Sequence, residues 1–339
     1  MNNKVIKTNA SPSAYGWCFQ VGAGITLMLD NIKEFTSIKM EGEFDDIEIN
    51  TPKGKIYAQA KSIIQIGNQK NASKKLQDSL KLLSKDNLNG DAIQLIYITN
   101  ISNPLSSKEK KAFCYGHSYE YSVLSNNDQK KIDSYVNSSF AKDKLKIYIL
   151  NFFGTGENKF ASVKEKISEF LRNAVQDSSY SQKILENWFS TFMINCSDVP
   201  DKQKKCNLTK KEIIFPVMVL VLDPLIQEDE FVKVCEYDNI EELQSHFRTS
   251  IDRKIYDYEF ISSTIGNFLS SYSSNGQRMT KYEFVKEKWK DFEKYFSFVL
   301  DIREREALIK LVLLATISKR SKINKIKEAA NLWKSNILN

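Results

Sequence analysis

Histidine is nearly absent from this chain of 339 residues, which contains only His117 and His246. A zinc site or a serine–histidine–aspartate triad needs a histidine among suitable partners, and the sequence offers neither histidine such a setting. The five cysteines are scattered without a Cys-x-x-Cys pair, so free buried thiols are expected. Any catalysis is therefore expected to use carboxylates, lysine and a hard metal ion.

Long hydrophobic runs are also lacking. The longest apolar stretch, Ile213 to Leu222, contains Pro216 and is much shorter than the roughly eighteen residues of a membrane helix. The segment Met1 to Ser13 is polar and has no hydrophobic signal core. We therefore expect a cytoplasmic protein without a membrane partner.

The charge balance is mildly basic, with 49 lysines and arginines against 42 aspartates and glutamates and a net charge of +7. A positive excess favours a polyanionic partner such as nucleic acid. The hydrophobic fraction of 42% and the charged fraction of 27% are ordinary for a globular protein. The length suggests two domains.

The chain changes character near residue 155. Before that point, short β-rich runs alternate with helical periodicity. The predicted strands are Thr36–Met40, Phe44–Asn50, Lys55–Lys61, Asp91–Thr99 and Lys144–Phe152. The predicted helices are Ser13–Met28, Ala72–Ser84 and Asn127–Phe140. Beyond residue 158 helical patterns dominate, so we predict an α/β domain over residues 1–155 and a mostly α-helical domain over residues 156–339.

Chemistry-bearing residues concentrate on the predicted hairpin. The turn from Thr51 to Gly54 joins an acidic strand to one that carries Gln59 and Lys61. Side chains alternate along a strand, so Gln59 and Lys61 share a face, and a short hairpin brings Asp46 opposite them. A carboxylate for Mg²⁺, an amide oxygen and an ammonium are groups that phosphodiester hydrolysis requires.

These residues give the chain a resemblance to the PD-(D/E)XK, or restriction-endonuclease-like, nucleases. Asp46 matches the acid of that signature, and Gln59-Ala-Lys61 matches its second half with glutamine where glutamate is commoner. The predicted helix Ala72–Ser84 and strand Asp91–Thr99 follow in the family's order. Upstream, Tyr15-Gly-Trp-Cys-Phe-Gln20 is similar to an opening helix of double-stranded DNA endonuclease domains in bacterial anti-phage effectors.

The resemblance implies a restriction-endonuclease-like domain with a mixed central sheet flanked by helices. It implies a DNA endonuclease that uses Mg²⁺ or Mn²⁺, held by Asp46 and Gln59, with Lys61, Glu43 and Gln20 as further catalytic residues. The helical second half is most similar to the effector subunit of Lamassu defence systems. That likeness implies an SMC-like ATPase and a small accessory subunit as partners, with double-stranded DNA as substrate and self-association on activation as an option.

Some points stay open in the sequence. Glu41, Glu43 and Asp45 compete as additional metal ligands, although strand parity favours Asp46 over Asp45 because Asp45 shares a face with Ile47 and Ile49. An acidic turn facing a lysine strand is also typical of a surface ion-pair network. A catalytically silent DNA-binding or scaffold subunit is the alternative function.

A lysine cluster follows the hairpin. It is predicted to contact DNA phosphates and consists of Lys70, Lys74 and Lys75. A solvated helix face is the competing interpretation of this cluster.

Overall fold

The computed structural model divides into two compact units, Met1–Phe170 with Leu185–Lys210 and Leu171–Ile184 with Lys211–Asn339. The residues that it describes are 11–42, 45–64, 71–87, 90–106, 113–197, 207–222 and 266–332, with 231, 233–235, 237, 243, 246–247 and 264. Within these residues, no helix combines the length and apolarity that crossing a bilayer requires.

A mixed sheet flanked by helices organises the first unit. Within the described residues its seven strands are β1 (Ser37–Met40), β2 (Ile47–Thr51), β3 (Gly54–Lys61), β4 (Ala92–Thr99), β5 (His117–Glu120), β6 (Leu145–Ile149) and β7 (Leu208–Thr209). Their spatial order is β5-β6-β4-β3-β2-β1-β7. β4 lies parallel to both β3 and β6, whereas the other neighbours are antiparallel. The parallel strands therefore end at one common edge of the sheet.

Helices lie before, between and after the strands. Their bounds are α1 (Ser11–Asp30), α2 (Ala72–Asn87), α3 (Asn126–Asp133), α4 (Ala161–Val175), α5 (Ser181–Ser197), α6 (Lys210–Leu222), α7 (Lys281–Lys288), α8 (Ile302–Ser318) and α9 (Arg320–Ala329). In the second unit, α8 buries an almost continuous run of side chains from Ala307 to Ile317. A helix that is apolar on all sides is typical of the centre of a helical core.

The two faces of the sheet are covered by different helices. Tyr57 and Tyr97 belong to the core that α2 covers with Leu76, Leu80 and Leu83, spaced four and three residues apart. α1 packs on the opposite face, where a Cβ at Gly24 would lie 2.9 Å from the sulfur of Met40. The side chains that alternate along β3 consequently point towards α2 or towards α1.

The hairpin of β2 and β3 has the predicted turn. Gly54 takes a φ of +140°, and a Cβ there would come within 2.5 Å of the carbonyl oxygen of Asp91. Only glycine fits this close approach without strain. The register pairs Ile47 with Ala58 and Glu48 with Tyr57, so the predicted strand parity is confirmed.

Several predicted boundaries are corrected by the structure. The helix predicted to reach Phe140 ends at Asp133, and the strand predicted over Lys144–Phe152 is confined to Leu145–Ile149. Two strands are missing from the prediction, β5 and the two-residue β7. The latter pairs with β1 at Thr209 and adds a strand to the sheet from beyond residue 155.

Asn100 holds the edge at which the parallel strands end. Its fully buried side chain accepts a hydrogen bond from the amide of Ile63 at 2.8 Å and donates to the Ile63 carbonyl at 2.7 Å. It also donates to the carbonyl of Phe152 at 3.1 Å and to the hydroxyl of Tyr15 at 3.2 Å. Asn100 thus joins the start of α1 to the segments that follow β3 and β6.

We expect Asn100→Ala to lower the free energy of unfolding by about 2–3 kcal/mol, because the substitution leaves several buried polar groups unpaired. Urea unfolding of the full chain, followed by circular dichroism, measures this loss. Asn127→Ala, at an exposed position of α3, is the matched control and should stay within about 0.5 kcal/mol of wild type. Equal stability of the two variants would contradict the role of Asn100.

Candidate active site

Asp46 lies immediately before β2 and faces the end of β3. Its Oδ2 atom accepts a hydrogen bond from the backbone amide of Ala60 at 2.6 Å and another from Nζ of Lys61 at 2.7 Å. The residue is only 8% exposed. The carboxylate is therefore fixed by one backbone donor and one charged donor from the neighbouring strand.

Lys61 is the last residue of β3 and is itself anchored at the backbone. The hydroxyl of Thr99 donates to its carbonyl at 2.6 Å across the parallel pair of β3 and β4. The side chain is partly exposed, so the ammonium reaches Asp46 while remaining accessible from solvent. A fixed backbone with an accessible ammonium suits a group that must meet an incoming anion.

The turn from β1 to β2 brings a second carboxylate to the site. Glu41 donates its amide to the carbonyl of Asp46 at 3.0 Å and has a φ of +53°. This left-handed conformation is uncommon for a residue other than glycine. Burial and the nearby Asp46 carboxylate raise the pKa of Glu41, while Lys61 and a hydrogen bond from Gln20 act in the opposite direction. Glu41 and Gln20 therefore lie with Asp46 and Lys61.

Gln59 forms the buried floor of the site. It is fully buried, on the same face of β3 as Lys61, and it pairs in register with Tyr97 of β4. Burial raises the pKa of the Tyr97 phenol, and the charge of Asp46 acts in the same direction. The amide of Gln59 thus occupies a position with very little solvent access.

The lysines after the hairpin differ in their surroundings. Lys75, on the first turns of α2, donates to the carbonyl of Ser62 at 2.6 Å. Burial and the neighbouring Lys61 charge lower the pKa of Lys75. Lys74 is exposed to solvent, whereas Lys70 lies outside the described residues. Lys75 therefore borders the candidate site, and Lys74 lies on the outer surface next to it.

The donor groups fit a hard divalent cation. Glu41 and Asp46, whose backbones are hydrogen-bonded, supply two carboxylates and Gln59 a neutral amide, and oxygen ligands of this kind are those that Mg²⁺ and Mn²⁺ prefer. Within the described residues, the hydrogen bonds from Ala60 and Lys61 to the Asp46 carboxylate both reach Oδ2. In the same part of the chain, no group of three or more His, Cys, Asp and Glu side chains is placed to hold a metal. An ion here would keep several water ligands, as Mg²⁺ commonly does.

The structure brings together most of the residues that the sequence singled out. Asp46 contacts Lys61 and Glu41, and Gln20 is the hydrogen-bond partner of Glu41. Gln59 lies on the same face of β3 as Lys61. Glu43 lies outside the described residues, so its position relative to the site stays a prediction. The sequence did not predict that Thr99 and Asn100 anchor the backbone at the end of β3. The alternation of side chains along β4 does place Thr99 on the same face of the sheet as Lys61.

Comparisons with known proteins gave no match to a family model, to a curated protein or to a solved structure.

We expect Glu41→Gln to stabilise the folded chain at pH 7, by up to about 1 kcal/mol once solvent screening is allowed for. Folding raises the pKa of Glu41, so ionising this carboxyl costs stability above the raised pKa. The cost disappears as the pH falls below the ordinary glutamate pKa of about 4.3.

Urea unfolding at pH 7 and at pH 4 tests the difference. Glu169→Gln, at an exposed position of α4, is the control and should change stability little at either pH. A Glu41→Gln variant that is less stable than wild type at pH 7 would contradict the electrostatic cost inferred for Glu41.

Proposed function

We propose that the chain is a metal-dependent DNA endonuclease of the restriction-endonuclease-like class. The single observation that carries the proposal is the contact of Asp46 with Lys61, beside Glu41, at the edge where β3 ends. The order of elements supports it: α1, then the antiparallel strands β1 to β3, then α2 and the parallel strand β4. This arrangement matches the family's order of helix, acidic strand, Gln-x-Lys strand, helix and strand.

We assign the residues of the site different roles in phosphodiester hydrolysis. Asp46 and Glu41, with the amide oxygen of Gln59, would hold Mg²⁺ or Mn²⁺. When bound, such an ion polarises the scissile phosphate and lowers the pKa of its water. The Lys61 ammonium orients the attacking water or offsets the negative charge that develops on the phosphate. Gln20 holds the Glu41 carboxylate in position through its hydrogen bond.

The surroundings of the site suit a polyanionic substrate. Lys75 and Lys74 lie on α2 directly after the site, and the net charge of the chain is +7. Lysines that neutralise phosphates near the reacting bond fix the position of the duplex without reading its sequence. We therefore propose double-stranded DNA as the substrate, with Lys74 as an outer phosphate contact.

We further propose that cutting is controlled by partner subunits of an anti-phage complex, an SMC-like ATPase and a small accessory subunit. Exposed apolar side chains at the start of α8 in the second unit support a docking role, with Leu300 88% and Ile302 68% exposed. Co-expression with those two subunits tests this role. Leu300→Asp should abolish a complex that wild type forms, and an unchanged complex would contradict docking at Leu300.

We expect Asp46→Ala and Lys61→Ala each to lower the rate of plasmid nicking with Mg²⁺ by at least about a hundredfold. The first removes a proposed metal ligand, and the second removes the ammonium proposed to act at the reacting phosphate. The measurement is conversion of supercoiled plasmid at high protein concentration, with and without the partner subunits. Lys53→Ala, at the exposed tip of the same hairpin, is the matched control and should cut at the wild-type rate.

Two outcomes of that experiment contradict the proposal. Equal nicking by wild type and Lys61→Ala would assign the activity to a contaminant or to another site. Salt-dependent DNA binding that is unaffected by Asp46→Ala, without cutting in any assembly state, would instead favour a non-catalytic DNA-binding subunit.

We expect Lys74→Ala to weaken DNA binding equally for all sequences and to reduce the slope of log affinity against log salt by about one. The physical reason is the loss of one phosphate contact and of the counterion that this contact releases. Fluorescence anisotropy of a labelled duplex at several salt concentrations, in Ca²⁺ to prevent cutting, measures the slope. An unchanged slope would place Lys74 on a solvated helix face away from DNA.

A further inference from the structure

The ammonium of Lys61 lies against the buried carboxylate of Asp46, whose negative charge it offsets. Glu41 lies beside Asp46, since its amide donates to the Asp46 carbonyl at 3.0 Å, and Lys61 donates to Oδ2 of the Asp46 side chain. In the part of the chain that the structure describes, the charged partner within bonding distance of Asp46 is Lys61, at 2.7 Å. Lys61 therefore offsets the charge of one carboxylate, that of Asp46, at a site that also contains Glu41.

A divalent cation bound to Asp46 would need the position beside its carboxylate that the Lys61 ammonium occupies. Oδ2 of Asp46 already accepts from the amide of Ala60 and from the ammonium of Lys61, so its lone-pair directions are taken. An ammonium and a divalent ion that share one carboxylate in a poorly solvated site repel each other strongly. An ion that binds the other oxygen of Asp46, Oδ1, would lie next to that ammonium.

We propose that Lys61 acts as a resident cation on Asp46, in the place that a divalent metal takes, so that metal binding displaces it. The inference rests on the proposed function, because it takes this carboxylate pair as the metal site. Displacement frees the Lys61 ammonium for the phosphate of the substrate. Metal binding and presentation of the catalytic lysine are then a single coupled event.

Isothermal titration of the full chain with Mn²⁺, without DNA, tests this displacement. Lys61→Met should bind Mn²⁺ at least about tenfold more tightly than wild type, because no ammonium has to leave Asp46. Lys75→Met is the matched control: it also removes a positive charge beside Lys61 but no contact to Asp46. We expect it to change the affinity less than about threefold, since its charge acts on the ion through screened Coulomb repulsion and its hydrogen bond is to the Ser62 carbonyl, not to Asp46.

Lys61→Gln serves as a second variant if Lys61→Met fails to fold, because the amide keeps a donor for Asp46 without the charge. Tighter binding in Lys61 variants alone supports displacement. Equal gains for Lys61→Met and Lys75→Met, or no gain for either Lys61 variant, overturn it and leave the proposed nuclease function intact. Absence of Mn²⁺ binding in wild type and in every variant overturns both.

Discussion

The hydrogen bond from the backbone amide of Ala60 to the carboxylate of Asp46 is the contact on which the order of the site depends. The ladder between β2 and β3 has its last pair at Ile47 and Ala58, so the amide of Ala60 has no carbonyl of β2 opposite it. A buried amide needs an acceptor, and the side chain of Asp46 supplies one at 2.6 Å. The end of regular pairing thereby fixes a carboxylate beside Lys61.

The surrounding contacts all hold the end of β3 in place. Thr99 donates to the carbonyl of Lys61, Lys75 to the carbonyl of Ser62, and Asn100 pairs with both backbone groups of Ile63. Backbone groups leaving a strand would otherwise lie unpaired in a poorly solvated region. Their satisfaction by side chains gives Lys61 a rigid base. The catalytic role proposed for Lys61 would need such support, because small displacements of a reacting group are costly to a reaction rate.

Which features of the fold and of the site the sequence could predict depends on how far apart in the chain the interacting residues lie. Strand parity and turn chemistry act over a few residues, and they predicted the hairpin and the shared face of Gln59 and Lys61. The strand β5, His117–Glu120, is polar and mostly exposed and lacks an apolar alternation, while β7 has two residues that are ordered by pairing with β1. The contact of Gln20 with Glu41 depends on tertiary packing that no local pattern encodes.

The burial of position 59 gives a physical reason for a glutamine there rather than the glutamate that is commoner in the proposed nuclease class. A glutamate at this fully buried position would add a third carboxylate beside Asp46 and Glu41, and an uncompensated buried charge is very costly. Lys61 neutralises only part of the existing pair. An amide at the same place keeps an oxygen of the kind that the proposed hard cation would accept as a ligand, and it adds no charge. Glutamine at position 59 thereby limits the negative charge of the site to two carboxylates, one of which already contacts Lys61.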